Sequence, residues 1–153
     1  MNILITGCAG FIGNAVWRHL EKKHNLVGID NLSRKTSTPP IIDSLQPHLF
    51  FLEDINNIEN VPMPLPKLDA IIHLAAKVGG VKGNSDYVAD FFCDNMMINA
   101  NILQSAVEFK VPKVLSLLST CIYPDNPIYP LTEDQIHNGE PHQSNFGYAY
   151  AKR

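Results

Sequence analysis

Three glycines, Gly7, Gly10 and Gly13, lodged between a β-branched run and a helical pattern, restrict this chain more than any other feature. Asn2 to Thr6 reads as a strand, Gly7 to Gly13 as a glycine-rich turn, and Ile12, Val16 and Leu20 then recur at helical spacing through Lys22. In the spacing GxxGxxG each glycine has a separate task. One turns the chain sharply off the strand, one lets backbone N–H groups approach a pyrophosphate, and one allows close packing of helix on sheet. The alternative is a tight turn with no ligand. The downstream sequence weighs against it. Leu26 to Asp30 is a second β-rich run, and Asp30 closes it 17 residues after Gly13, near the roughly 20 expected of an acid that binds the adenosine ribose. A P-loop is excluded, because no Lys followed by Ser or Thr closes the glycine run. A methyltransferase with a similar turn stays open from this half alone.

The rest of the chain continues the alternation. Asn31 to Pro40 is a polar loop, and Leu49 to Leu52 a third strand ending at Glu53 and Asp54. From Asn56 to Pro66 the pattern fails. Pro62, Pro64 and Pro66 alternate with Met63 and Leu65, which predicts an extended, polyproline-like segment and a shortened crossover. Ala70 to Ala75 is an apolar run suited to a strand covered on both faces. A long helix is expected from about Val88 to Lys110, with Phe92, Met96, Asn99, Leu103, Ala106 and Val107 inward, and Pro112 stopping it. Met96 and its neighbour Met97 read as helix core rather than a binding surface. Val114 to Leu118 is the fifth strand, and Pro124 to Pro141 a proline-punctuated loop. Strands and helices alternating after a glycine-rich first turn predict a doubly wound, mostly parallel α/β sheet in one domain over residues 1–153.

Composition narrows the partners. With 12 basic and 15 acidic residues, a net charge of -3 and no basic block, no footprint for nucleic acid or an anionic membrane is expected. Cys8, Cys93 and Cys121 have neither disulfide nor metal spacing, so no metal site and a reducing compartment are expected. The apolar run Ile3 to Ile5 is too short for a signal peptide and no stretch is long enough to span a bilayer, which predicts a cytoplasmic protein. Asn31, Leu32 and Ser33 form a sequon that reads as coincidence.

Near the end, Tyr148 and Lys152 stand four apart at the opening of a helical segment and so share a face. An ammonium beside a phenol is expected to lower the tyrosine pKa towards one useful for proton transfer. Ser119 follows the fifth strand, at the sheet edge where open α/β folds bind ligands, and could hydrogen-bond a carbonyl. Alone, YxxxK is equally an ordinary helix start.

Taken with the glycine turn, His73-Leu74-Ala75-Ala76, Asn95 and Ser119, the whole chain resembles the extended short-chain dehydrogenase/reductases of the NAD-dependent epimerase/dehydratase kind, with their Rossmann-like fold. His73 to Gly80, Leu118 to Pro124 and Ile136 to Arg153 look like the GDP-L-fucose synthases, epimerase-reductases of GDP-4-keto-6-deoxymannose. The resemblance implies an NAD(P)-dependent epimerase/reductase of a GDP- or UDP-linked 4-ketosugar, working as a possible homodimer. It implies Tyr148 as proton donor to the C4 oxygen, Lys152 on the nicotinamide ribose, Ser119 orienting the carbonyl and Cys121 as the acid/base of epimerisation. It extends the cofactor contacts to Phe11, Ile12, Ile55, Leu74, Ala75 and Ala76. Asn95 matches a helix-kink asparagine, with a core hydrogen bond as the alternative. Cys121 has the alternative of a small buried thiol.

Several assignments stay double. Asp30, repelling a 2′-phosphate, favours NAD over NADP, which that subfamily generally uses. Arg34 and Lys35 could restore phosphate binding or form a solvated basic loop. Asp54 is an adenine contact or a helix cap. His73 is structural or makes a backbone-level contact. His137 and His142 shape a pocket or are solvated. Cys8 is a small packing residue. The family's carboxy-terminal half, with later strands, most sugar contacts and a histidine partner for the cysteine, is missing. The helix opened at Gly147 has only seven residues, below the roughly 12 at which an isolated helix is stable in water. An incomplete domain is therefore expected, with two rival outcomes: a UDP-sugar epimerase/dehydratase, or a non-catalytic remnant serving as a dinucleotide-binding or interaction module.

Overall fold

The computed structural model describes residues 1–34, 39, 48–60 and 67–153. Lys35 and the proline-alternating segment from Pro62 to Pro66 lie outside the described residues. The chain divides into two compact units, Met1–Ala75 with Ala100–Leu117, and Ala76–Asn99 with Leu118–Arg153.

The first unit is built on five parallel strands in the order β3-β2-β1-β4-β5. They are β1 (Asn2–Thr6), β2 (Asn25–Asp30), β3 (Leu49–Leu52), β4 (Ala70–His73) and β5 (Val114–Ser116). The order reverses beside β1, so the turn leaving β1 stands at the switch point, where such sheets bind ligands. Central β1 and β2 are covered on both faces, and their Ile, Leu and Val side chains are buried, each stabilising the unit by about 1.5–3 kcal/mol. Helix α1 (Phe11–Leu20) seats Trp17 in a cluster with Ile3, Ile5, Cys8 and Leu26. Gly13 and Trp17 form the buried face of α1, Val16 and Leu20 pack half-buried against the cluster, and Ile12 is 48% exposed. His48 accepts from the Leu26 N–H (3.1 Å) and meets the Trp17 ring edge-on. The edge strands are barer. Leu52 on β3 and Leu115 on β5 are both 64% exposed.

The second unit holds α2 (Gly80–Asp86), α4 (Phe146–Lys152) and the first part of α3 (Val88–Glu108), whose later residues belong to the first unit. Helix α3 ends as the sequence suggests, with Lys110 at φ 51° before Pro112. Its inward face matches the expected one at Ala106, with Asn99 half-buried, and departs from it elsewhere. Phe91, Asn95, Ile102, Ser105 and Ala106 are buried, whereas Phe92, Met96, Met97, Leu103 and Val107 are exposed. Asn95 takes a core position because its amide is satisfied there: Nδ2 donates to the carbonyls of Phe91 (2.7 Å) and Lys77 (3.0 Å), and Oδ1 accepts from the Lys77 N–H (3.0 Å). Ser105 is satisfied by donating to the Asn101 carbonyl (2.8 Å). Helix α2, which has no apolar periodicity to announce it, carries the buried Asn84, whose Nδ2 donates to Asn145 Oδ1 (2.8 Å) ahead of α4.

Candidate active site

In the first unit the glycine turn is closed by its own backbone. The Gly7 N–H donates to the Ile29 carbonyl (2.8 Å) and the Gly10 N–H to the Gly7 carbonyl (3.1 Å). Gly7 has φ 68°, a left-handed conformation that side chains resist, and a Cβ there would lie 2.8 Å from the Ala75 nitrogen. At Gly13 a Cβ would lie 2.1 Å from the Gly7 oxygen, so helix and turn touch backbone to backbone. Gly10 differs. It has ordinary φ and ψ of -73° and 173°, and a Cβ would meet only the Gly7 oxygen, at 3.2 Å. The protein's own packing needs a bare backbone least at Gly10, at the mouth of α1. Beside it Phe11 is 95% exposed, and no side chain caps the helix. The first-turn N–H groups and the positive end of the helix dipole therefore face outward, an arrangement that fits a phosphate.

Asp30 ends β2 and braces this turn: Oδ2 accepts from the Ala9 N–H (2.9 Å) and Oδ1 from the Leu32 N–H (2.8 Å). Each oxygen keeps a lone pair for a further donor. Arg34 is exposed. Asp54 acts as a cap, accepting from the Asn56 N–H (2.9 Å) and Asn31 Nδ2 (2.7 Å) at the start of a 3₁₀ turn that includes the buried Ile55. Cys8 is wholly buried, and desolvation, reinforced by the Asp30 charge, pushes its thiol up to about 12. Leu74 and Ala75 follow β4, and both of their N–H groups donate to Thr6 Oγ1 (3.2 Å each). That oxygen's own proton is then directed to His73 Nδ1 (2.7 Å), which places the imidazole proton on Nε2. His73 is structural here. Thr6, which the sequence reading passed over as a strand residue, ties the ends of β1 and β4 together.

The second unit gathers the remaining candidates, with Ala76 at its start. Ser119 Oγ accepts from the Cys121 N–H (3.3 Å), capping a 3₁₀ turn at Thr120–Ile122. Tyr148 on α4 comes near enough to Ser119 and Cys121 for both side chains to act on its phenol. Helix α4 is seated by Asn99 Nδ2, which donates to the Ala151 carbonyl (2.8 Å), and by Gly147, where a Cβ would lie 2.2 Å from the Val88 oxygen. Ser119, Cys121 and Tyr148 thus converge, and Lys152 lies one turn along, 6% exposed. His142 accepts from the Ser144 N–H (3.1 Å) as the cap of a 3₁₀ turn, and His137 is exposed. Among the described residues no group of three His, Cys, Asp or Glu side chains could hold a metal.

The electrostatics correct one expectation. Tyr148 is held above its ordinary value of 10.0, first by burial of the phenol and then by negative charge at Cys121, while the Ser119 hydrogen bond pulls it down. Lys152 is pushed below 10.5 by burial. Desolvation disfavours both charged forms, so the pH range in which ammonium and phenolate coexist is narrowed. Sequence spacing could not reveal this, because it shows neither burial nor the cysteine brought alongside.

A family model described as the NAD dependent epimerase/dehydratase family matches residues 3–153. The chain belongs to that family. Within this epimerase/dehydratase family, a GDP-L-fucose synthase from Dictyostelium discoideum is 37% identical over 159 aligned residues, which span 99% of this chain and 43% of that protein. A GDP-L-fucose synthetase from Naegleria fowleri, solved bound to NADP, superposes with a TM-score of 0.76 at 35% identity, covering 99% of this chain and 44% of that one. A UDP-glucose 4-epimerase from Thermotoga maritima, solved with UDP-glucose, gives a TM-score of 0.76 at 25% identity, covering 99% and 48%. The epimerase/dehydratase chain described here spans less than half the length of each of these relatives.

Proposed function

We propose that this chain is the dinucleotide-binding and proton-handling portion of an NAD(P)-dependent epimerase/reductase of nucleotide-linked 4-ketosugars, of the GDP-L-fucose synthase kind. The observation that carries the reading is Gly10, a glycine with ordinary φ and ψ at a helix mouth, where an added Cβ would press only on the Gly7 oxygen at 3.2 Å. The turn from Gly7 to Gly13 holds the pyrophosphate on outward N–H groups, with Phe11 and Ile12 lining the mouth. Asp30 offers its remaining lone pairs to the adenosine ribose hydroxyls, which favours NAD while leaving NADP accessible. Ile55, Leu74, Ala75 and Ala76 complete the cofactor contacts, and Asp54 reaches adenine only by giving up part of its capping role.

When bound, the nicotinamide supplies or accepts hydride. In this reading Tyr148 donates a proton to the C4 oxygen, Ser119 orients that oxygen, Lys152 holds the nicotinamide ribose, and Cys121 moves the proton next to the ketone. A phenol held above its ordinary pKa keeps its proton at neutral pH, which suits a donor. A GDP-linked substrate is preferred to a UDP-linked one because the relatives named for the former are more similar, at 37% and 35% against 25% identity. A second reading, a non-catalytic dinucleotide-binding or interaction module, is favoured by the exposed edge residues Leu52 and Leu115.

The test is fluorescence titration of the chain with NADH and NADPH. Saturable binding is expected, and Gly10→Ala should weaken it by about tenfold or more, roughly 1.4 kcal/mol. The same substitution should change folding stability by less than about 1 kcal/mol, since alanine tolerates this backbone. Absent binding, or binding indifferent to Gly10→Ala, would remove the reading.

A further inference from the structure

The turn that carries Ser119 and Cys121 is too short to hold itself. It is a single 3₁₀ turn, Thr120–Ile122, leading into a long irregular loop, and its internal bonds are three contacts of 3.2–3.3 Å. What fastens it comes from the far end of α4. Arg153 Nε donates to the Ile122 carbonyl (2.7 Å), immediately after Cys121, and Nη2 donates to the Gly139 carbonyl (2.9 Å) on the returning side of the loop. The same neck is zipped by the Asp125 N–H donating to the Glu140 carbonyl (2.9 Å), and Gly139 lies so close to Pro124 that a Cβ would be 3.3 Å from it. The guanidinium lies 5.1 Å from the Tyr150 ring centroid, and that ring packs edge-on against Phe146. Bridging two carbonyls while stacking on a ring is a task for a planar fork, which an ammonium on a flexible stem does not reproduce.

We propose that Arg153 is a positioning residue that braces the neck of this loop and thereby holds Ser119 and Cys121 at Tyr148. Arg153, immediately after α4, then ties the turn to the helix that carries Tyr148, so the turn cannot slide along α4 without breaking the bond to Ile122. The proposal rests on the reading of Ser119, Cys121 and Tyr148 as the reacting groups, yet its test does not need turnover.

The groups acting on the phenol are Ser119 and Cys121, both from the turn; the basic residues near it in sequence are Lys152 at the end of α4 and Arg153 just after it. Titration of ring-labelled tyrosine by NMR, with Tyr148 assigned through Tyr148→Phe, reads their effect. In the wild-type chain Cys121→Ser should lower the Tyr148 titration point by removing a negative charge, and Ser119→Ala should raise it by removing a hydrogen bond to the phenolate. In an Arg153→Met background both shifts should be lost while the thermal transition remains cooperative. Either shift persisting at full size would overturn the proposal. If Arg153→Met does not fold, Arg153→Lys decides: reduced shifts support the brace and full-sized shifts refute it. Titration of the same samples with NADH and NADPH keeps the two ideas apart, because a wild-type chain that retains both shifts but binds neither dinucleotide would sink the functional reading and leave the brace standing.

Discussion

Gly13→Ala is expected to lower the stability of the fold by about 3 kcal/mol or more, at the upper end of what an added methylene does to a packed interior. The new carbon would sit 2.1 Å from the Gly7 oxygen, 2.7 Å from the Cys8 Cα and 2.9 Å from the Cys8 carbonyl carbon. All three are backbone atoms of the turn, so no rotamer change relieves them. Helix α1 must lift from the turn or the turn must open, and either withdraws Trp17 from the cluster it seals. Against a total stability of about 5–15 kcal/mol this is a large fraction. Urea denaturation should show a midpoint lowered by more than about 1 M for a slope near 2 kcal/mol/M. An unchanged midpoint would mean that α1 does not close onto the turn. The contrast with Gly10→Ala, which should spare the fold and weaken the ligand, separates the packing glycine from the binding one.

The second large effect is alkaline. Cys8 has an ordinary thiol pKa of 9.0 when unfolded and about 12 when folded. Between those values the unfolded chain has lost a proton that the native chain retains, so stability falls as pH rises. The contribution is fully present below pH 9.0 and is lost as pH climbs through about 12. The rise from 9.0 to about 12 corresponds to about 4 kcal/mol. Cys8→Ala should remove this slope. Urea midpoints of both proteins at pH 8 and near pH 11 give the comparison, in which other alkaline titrations cancel. Parallel decline of the two would show that the thiol is not desolvated, and with it that the turn is not packed as described.

The strands and the glycine turn were readable because each rests on a local rule. Ile3 to Ile5 must be buried, Asp30 must follow a strand, and Gly7 and Gly13 must sit where backbone meets backbone. The face of α3 was misread for a physical reason. Phe92, Met96, Leu103 and Val107 form an apolar stripe, but the buried positions go to Asn95 and Ser105, whose polarity is cancelled by hydrogen bonds that no periodicity reports. Helix α2 was invisible because Gly80 and Gly83 lie within it. Among the site residues, Ser119, Cys121 and Tyr148 were named from the sequence and do converge. The raised Tyr148 pKa, the Thr6 bridge to β4 and the Arg153 brace all depend on contacts made far along the chain.

The claim on which the rest depends is that the turn after β1 cradles a dinucleotide. NMR titration of the isotopically labelled chain with NADPH and with NADH tests it most directly. Saturable shifts are expected at the amide N–H groups of Gly10, Phe11, Ile12 and Gly13, with those of Ala9 and Leu32 following as Asp30 takes up the ribose. Saturable binding that leaves these amides unmoved, or no binding by either dinucleotide, would contradict it.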